Sequence, residues 1–193
     1  MCGICGVISL SEKKGHFYKN VVRKMTESLT HRGPDSMDVV EIGNACFGHT
    51  RLSIIDTSSK GTQPFLKNGT LLSVNGEIYN HKQYRNVLTS KGHNFFSNSD
   101  SEVILNGYLS EKENVLHNLE GMFAFSLYDD KNGVSILARD RLGIKPIYYY
   151  QTKQEIYFAS ELNCLVKLDI FKGQIDLESL NYYSRFGFVP EPL

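Results

Sequence analysis

Apolar and polar positions alternate from Ile4 to Leu10, with Ile4, Gly6, Ile8 and Leu10 sharing the parity of Cys2. That period predicts a strand with two different faces. β-Branched and aromatic runs predict further strands at Asp38–Ile42, Ala45–His49, Leu71–Val74, Met122–Tyr128, Val134–Ala138, Ile147–Tyr150 and Ile156–Ala159. Gly43-Asn44 suits a two-residue hairpin turn, and Asn132-Gly133 suits a type I′ turn. Helical spacing appears in Lys19–Thr30, through Val21, Val22, Met25 and Leu29, and again in His81–Ser90, Ser101–Leu109 and Asp176–Arg185. Ser99 or Asp100 can cap the third of these, and Glu102 suits its positive end. Strands come in hairpin-like groups, with helices between groups instead of after every strand. The expected class is therefore α+β, with antiparallel sheets carrying helices, in one domain over residues 1–193.

Composition narrows the function classes. The 193 residues carry 21 basic and 21 acidic side chains, so the broad positive field of sequence-independent nucleic-acid binding is missing. Apolar runs such as Gly121–Leu127 fall far short of the roughly 18 residues of a membrane span. The first residues lack the pattern of an export signal, and four cysteines are few for a disulfide scaffold. A cytoplasmic protein with reduced thiols and neither nucleic-acid nor membrane partners is expected. Dinucleotide and Walker-type glycine loops are absent from the sequence.

Met1-Cys2-Gly3-Ile4-Cys5 has three readings. A Cys-x-x-Cys redox or metal pair is disfavoured, because three steps along a strand separate the α-carbons by roughly 10 Å on opposite faces. No second close pair has zinc-ligand spacing, so no metal is expected. Buried small hydrophobes are the better reading for Cys5, Cys46 and Cys164. Cys2 differs: with Met1 removed, it would carry a thiol and a free α-amine whose ordinary pKa values nearly match, and so bring its own general base. Asn75-Gly76 reads as a hairpin turn, since Asn-Gly also occurs at Asn68, Asn106 and Asn132, or as an oxyanion hole of one side-chain amide and one backbone N–H. Arg51 could grip a carboxylate or pair with Asp56; Asp100 could be a helix cap. His31 and His49 are expected to make structural hydrogen bonds.

These residues sit within a longer series: Met-Cys-Gly-Ile (1–4), His-Arg-Gly-Pro-Asp (31–35), His-Thr-Arg-Leu-Ser-Ile-Ile-Asp (49–56) and Gln63-Pro64. Val-Asn-Gly-Glu-Ile-Tyr-Asn (74–80), Ser-Asp-Ser-Glu (99–102) and Gly-Met-Phe-Ala-Phe (121–125) follow. Arg-Asp-Arg-Leu-Gly-Ile-Lys-Pro-Ile-Tyr-Tyr (139–149) and Phe-Ala-Ser-Glu-Leu (158–162) complete it. In this order they resemble the class II glutamine amidotransferase domain, as found in the N-terminal half of glutamine-hydrolysing asparagine synthetases and their relatives. The resemblance implies a four-layer αββα N-terminal-nucleophile sandwich of two mainly antiparallel sheets. It places the nucleophile on Cys2 and the oxyanion hole on Asn75 and Gly76. Glutamine-binding positions fall on Arg51, Leu52, Ser53, Ile54, Ile55, Asn75, Gly76, Glu77 and Asp100, with Arg51 on the α-carboxylate and Asp100 on the α-ammonium.

The resemblance further implies hydrolysis of L-glutamine through a Cys2 thioester, with no cofactor in this domain. Ammonia would pass to a synthetase domain, in cis or in trans, where ATP and magnesium serve to amidate aspartate. The Ser-Gly-Gly-x-Asp-Ser loop of that second half does not occur in these 193 residues. A sugar or cell-surface precursor is the alternative acceptor. A chain retaining Met1, acting as a non-catalytic binding module, is the alternative from another functional class.

Overall fold

The computed structural model describes residues 1–11, 15–171 and 173–190. Its first sheet contains β1 (Gly3–Ser9), β2 (Ser36–Ile42), β3 (Ala45–Arg51), β8 (Tyr148–Gln151) and β9 (Glu155–Ala159), ordered β2-β3-β1-β9-β8. The second contains β4 (Phe65–Lys67), β5 (Thr70–Ile78), β6 (Gly121–Asp129) and β7 (Val134–Arg139) in sequential order. Every ladder between these strands is antiparallel.

The alternation in β1 decides the layering. Even positions turn toward the second sheet, where Ile8, Ala45, Phe47 and Phe158 meet Leu71 and Tyr128. The Phe47 and Phe158 rings cross edge-to-face at 5.1 Å. Odd positions Cys5 and Val7 turn outward onto Tyr18, Val22, Met25 and Leu29 of the α1 region (α1, Gly15–Glu27) and onto Cys164 and Leu165 of α4 (Leu162–Val166). The outer face of the second sheet, through Leu72, Val74, Phe125 and Leu127, packs on α2 (His81–Ser90) and α3 (Glu102–Glu111). Each large apolar side chain sealed this way contributes about 1.5–3 kcal/mol. The result is the expected αββα sandwich. The remaining helix, α5 (Leu177–Phe186), buries none of its residues, so the amphipathic spacing there meets no partner within the described residues.

Several local expectations change. The Asn-Gly pairs have different fates. Asn68-Gly69 forms the two-residue β4–β5 turn, with φ of 53° and 85°, as a type I′ turn requires. Asn132-Gly133 instead belongs to a four-residue loop over 130–133. There the Asp129 carboxylate accepts the N–H groups of Lys131 and Asn132 and the Asn132 side-chain amide, and only Gly133 has positive φ. Asn106-Gly107 lies inside α3, and Asn75-Gly76 inside β5, which continues four residues past the expected end at Val74.

Candidate active site

Cys2 immediately precedes β1, and the chain around it is held from three sides. Arg32 Nε donates to the Cys2 carbonyl at 2.9 Å, and Arg32 is itself held by Glu161. Ile4 N–H donates to Ser160 Oγ, while Ser160 N–H donates to the Ile4 carbonyl. Gly33 lets the 31–35 segment lie against β3, because a Cβ there would come within 2.5 Å of Arg51 N. The Cys2 thiol is half-buried and accepts the Leu52 N–H at 3.4 Å. Burial pushes that thiol up, against the opposing pull of the Leu52 N–H, the terminal ammonium and Arg51. Cys5 points the other way, to Thr26 Oγ1 at 3.3 Å and the Val22 carbonyl. The two thiols therefore do not form a site together.

The far wall of the cavity is the free edge of β5. Phe123 of β6 gives its N–H to the Asp140 carboxylate and its carbonyl to the Asp140 N–H. Its register partner Gly76 consequently directs its own N–H away from β6, toward the edge that β4 covers only at Thr70–Leu72. On that edge Val74 N–H donates to Gln63 Oε1 at 2.8 Å, and Ile78 N–H donates to Asp100 Oδ2 at 2.8 Å. Gly76 N–H lies between these two satisfied donors and faces the cavity. The Asn75 Nδ2 donor is buried and has no hydrogen-bond partner among the described residues. Gly76 is required here because a Cβ would approach the Met122 carbonyl oxygen to 2.2 Å.

Arg51 ends β3 and is almost fully buried. It makes no ion pair with Asp56: Nη2 donates to the Asp56 backbone carbonyl, and Nη1 donates to the Ser58 carbonyl at 2.8 Å. The Asp56 carboxylate is occupied by Ser58 and Asn98 N–H, and those hydrogen bonds hold its pKa below the usual range. The guanidinium thus orders the 56–62 loop while flanking the cavity. Asp100 does not cap α3 with its side chain; it bridges to Ile78 instead, and burial pushes its carboxyl up against the opposing pull of that N–H and of His81. Glu102, fully buried, accepts the N–H groups of Phe96 and Ser97 and so shapes the loop that presents Asp100.

Cys2, Arg51, Leu52, Ser53, Ile54, Ile55, Asn75, Gly76, Glu77 and Asp100 all line one cavity of about 120 Å³. With this geometry, the family follows from comparison: residues 1–193 match the glutamine amidotransferase domain. The chain belongs to that family.

This amidotransferase domain is 39% identical to asparagine synthetase [glutamine-hydrolyzing] 1 of Bacillus subtilis, over all of this chain and 30% of that protein. It is 38% identical to asparagine synthetase B of Escherichia coli, over 86% of this chain and 30% of the relative. Amidase chyE of Penicillium rubens is 38% identical over 84% of this chain and 26% of its own length. The chain therefore spans about a third or less of these relatives. Among solved structures, the glutamine PRPP amidotransferase of B. subtilis complexed with ADP and GMP superposes with a TM-score of 0.70. At 21% identity, over 85% of this chain and 43% of that one, the likeness is one of fold.

Residues beyond the sequence-read set also build the site of this domain. Gln63 satisfies the β5 edge, and Lys145 reaches the cavity. Asp140 accepts the N–H groups of Phe123, Leu142, Ile144 and Lys145. Burial pushes the Asp140 carboxyl up, but these donors more than offset it and hold its pKa low. The motif strings hinted at Asp140 and Lys145 without assigning a task. His49 joins the sheets through Nε2, which donates to the Val74 carbonyl at 3.1 Å; burial holds its pKa down to about 4, so the ring is neutral. His31 contacts Glu161.

Proposed function

We propose that this domain hydrolyses the side-chain amide of L-glutamine through Cys2 once Met1 has been removed. The carrying observation is the Asn75 Nδ2 donor, unpaired among the described residues, beside the Gly76 N–H at the uncovered β5 edge, in the cavity that Cys2 lines. The α-amine of Cys2 takes the thiol proton, and the sulfur forms a bond to the amide carbon. The two donors receive the oxyanion; each such contact is typically worth about 2.7–4 kcal/mol of barrier. The carbon–nitrogen bond breaks as the nitrogen gains the proton and leaves as ammonia. Water then cleaves the thioester, restoring the thiol and releasing glutamate.

Asp100 supports recognition of the α-ammonium, as a buried carboxylate with no cationic partner. Arg51 supports recognition of the α-carboxylate with the N–H groups that the 56–62 loop leaves free. Leu52 and Ser53 line the floor, Ile54 and Ile55 the exposed mouth, and Glu77 the β5 side. The names of the relatives, glutamine-hydrolysing asparagine synthetases, support a synthetase partner that takes up the released ammonia to amidate aspartate; ATP and magnesium would serve in that partner and not in this domain. Four free thiols suit a reducing compartment such as the cytoplasm. No described helix is long and apolar enough to cross a membrane.

While Met1 is present, the Cys2 nitrogen is a peptide nitrogen and cannot act as base. The chain bearing Met1 is therefore expected to bind glutamine without turning it over. Intact-mass measurement of the terminus, beside ammonia release by the Cys2-initiated protein and its Cys2→Ala variant, tests the proposal. Wild-type ammonia release by the alanine variant refutes it.

A further inference from the structure

Two cations line the cavity, Arg51 and Lys145. The Arg51 guanidinium is held by loop carbonyls, whereas Lys145 has no comparable partner. Its backbone N–H is fixed by Asp140 Oδ2 at 3.0 Å, and its side chain is buried, with 7% exposure. Its Nζ donates to the Met1 thioether sulfur at 2.9 Å. A thioether is a weak acceptor, and among the described residues Lys145 joins no ion pair. Removal of Met1 takes that sulfur away and turns the Cys2 nitrogen, five bonds from the sulfur, into an α-amine.

We propose that Lys145 is a positioning residue for the amide hydrolysis, its ammonium standing near the free α-amine of Cys2 and keeping that amine unprotonated at neutral pH. The inference rests on the glutaminase reading above. An α-amine with an ordinary pKa of about 7.7–8.0 is mostly protonated at pH 7, so only a minor fraction could accept the thiol proton. A fixed positive charge nearby disfavours that protonation. For two unit charges about 6 Å apart in partly screened surroundings, such an effect is on the order of one pH unit.

Other charges also face the terminus, and all of them are unchanged when Lys145 alone is replaced. Arg51, from β3, acts on Cys2 with the same sign and stays in place in every Lys145 variant, and His81 of α2 acts on Asp100. Asp100, before α3, and Glu77, in β5, act oppositely, and the α-ammonium of bound glutamine would offset Asp100. Arg32, which holds the Cys2 carbonyl, is paired with Glu161, as is His31. The Asp140 carboxylate is taken up by four backbone N–H groups, and Asp35 accepts the Ser53 N–H.

The test uses protein beginning at Cys2, with Lys145→Met and Lys145→Gln to remove the charge and Lys145→Arg to keep it. The acid limb of the kcat/KM pH profile is expected to rise by about one pH unit in the Met and Gln variants, and to stay in place in the Arg variant. Independently, the rate of acetylation of the terminal amine by acetic anhydride is followed against pH in a Cys2→Ser background, where no turnover is needed. Its midpoint is expected to rise by the same amount. An amine midpoint that is unmoved by loss of the Lys145 charge overturns the proposal, even if the activity plateau falls, since that pattern marks a purely structural lysine. A moved midpoint in a protein that never releases ammonia would instead leave the lysine effect standing and remove the glutaminase reading.

Discussion

Replacing Asp100 with Asn should make the empty domain more stable and a worse binder of glutamine. Asp100 is 5% exposed, spends Oδ2 on the Ile78 N–H and forms no ion pair among the described residues. Asn keeps an acceptor for Ile78 while removing the charge. Burial lifts the folded-state pKa above the ordinary 3.8, so the folded form holds its proton to higher pH than the unfolded chain does. The ionised group therefore costs stability above the folded pKa and costs nothing below 3.8. The variant should gain about 1–3 kcal/mol at pH 7, the usual cost of a buried polar group left short of partners, and the gain should fade toward pH 3. For a domain of this size that is a melting temperature higher by about 2–4 °C per kcal/mol. Glutamine binding loses one charge-assisted contact, worth about 1.5–3 kcal/mol, so kcat/KM should fall roughly tenfold to 150-fold. Thermal unfolding with and without glutamine, in a Cys2→Ala background that stops turnover, reads both effects. A variant less stable than its parent, or one that glutamine stabilises equally, would refute the assignment of Asp100 to the α-ammonium.

Gly76→Ala should strike structure and chemistry together. The new Cβ meets the Met122 carbonyl oxygen at 2.2 Å and Phe123 Cα at 2.6 Å, so β5 and β6 must part, at about 1–3 kcal/mol by urea unfolding. Among molecules still folded, kcat should fall by about 10²–10³ as the oxyanion donor moves; near-normal kcat would show that the Gly76 N–H is not used. His49 makes stability fall with acid, because the unfolded chain takes up its proton near pH 6.5 and the folded one only near about 4. Wild type should lose about 3 kcal/mol more than His49→Gln between pH 7 and pH 4; parallel losses would mean that the ring is protonated in the fold.

Legibility followed the range of the physics. Period-two alternation in β1 and one-sided apolar spacing in α1 and α2 report burial on a single face, and those elements appear where the pattern puts them, with ends displaced by a few residues. The helix expected from Lys19 starts at Gly15, and the β5 strand expected to stop at Val74 runs to Ile78. Strand β4, three residues long, is too short to leave a periodic trace. Turn chemistry was less readable. Four Asn-Gly pairs look alike in sequence, yet one makes a hairpin turn, one a longer loop organised by Asp129, one a helix interior and one an edge of the cavity. The competing interactions that separate them come from residues distant in the chain.

The sequence by itself determined the chemistry available: a thiol that can become terminal, an Asn-Gly pair, a cation and a carboxylate, each within an ordered motif. Only the tertiary structure decided what those groups touch. The order β2-β3-β1-β9-β8 brings Ser160 and Glu161 to the start of β1, and the early end of β4 leaves the β5 edge bare. Gln63 and Asp100 fill that edge on either side of Gly76, and an Asp140 turn delivers Lys145 to Met1. A hydrogen bond left unmade depends on where every neighbouring strand stops, and that is a property of three-dimensional packing that no local stretch of residues encodes.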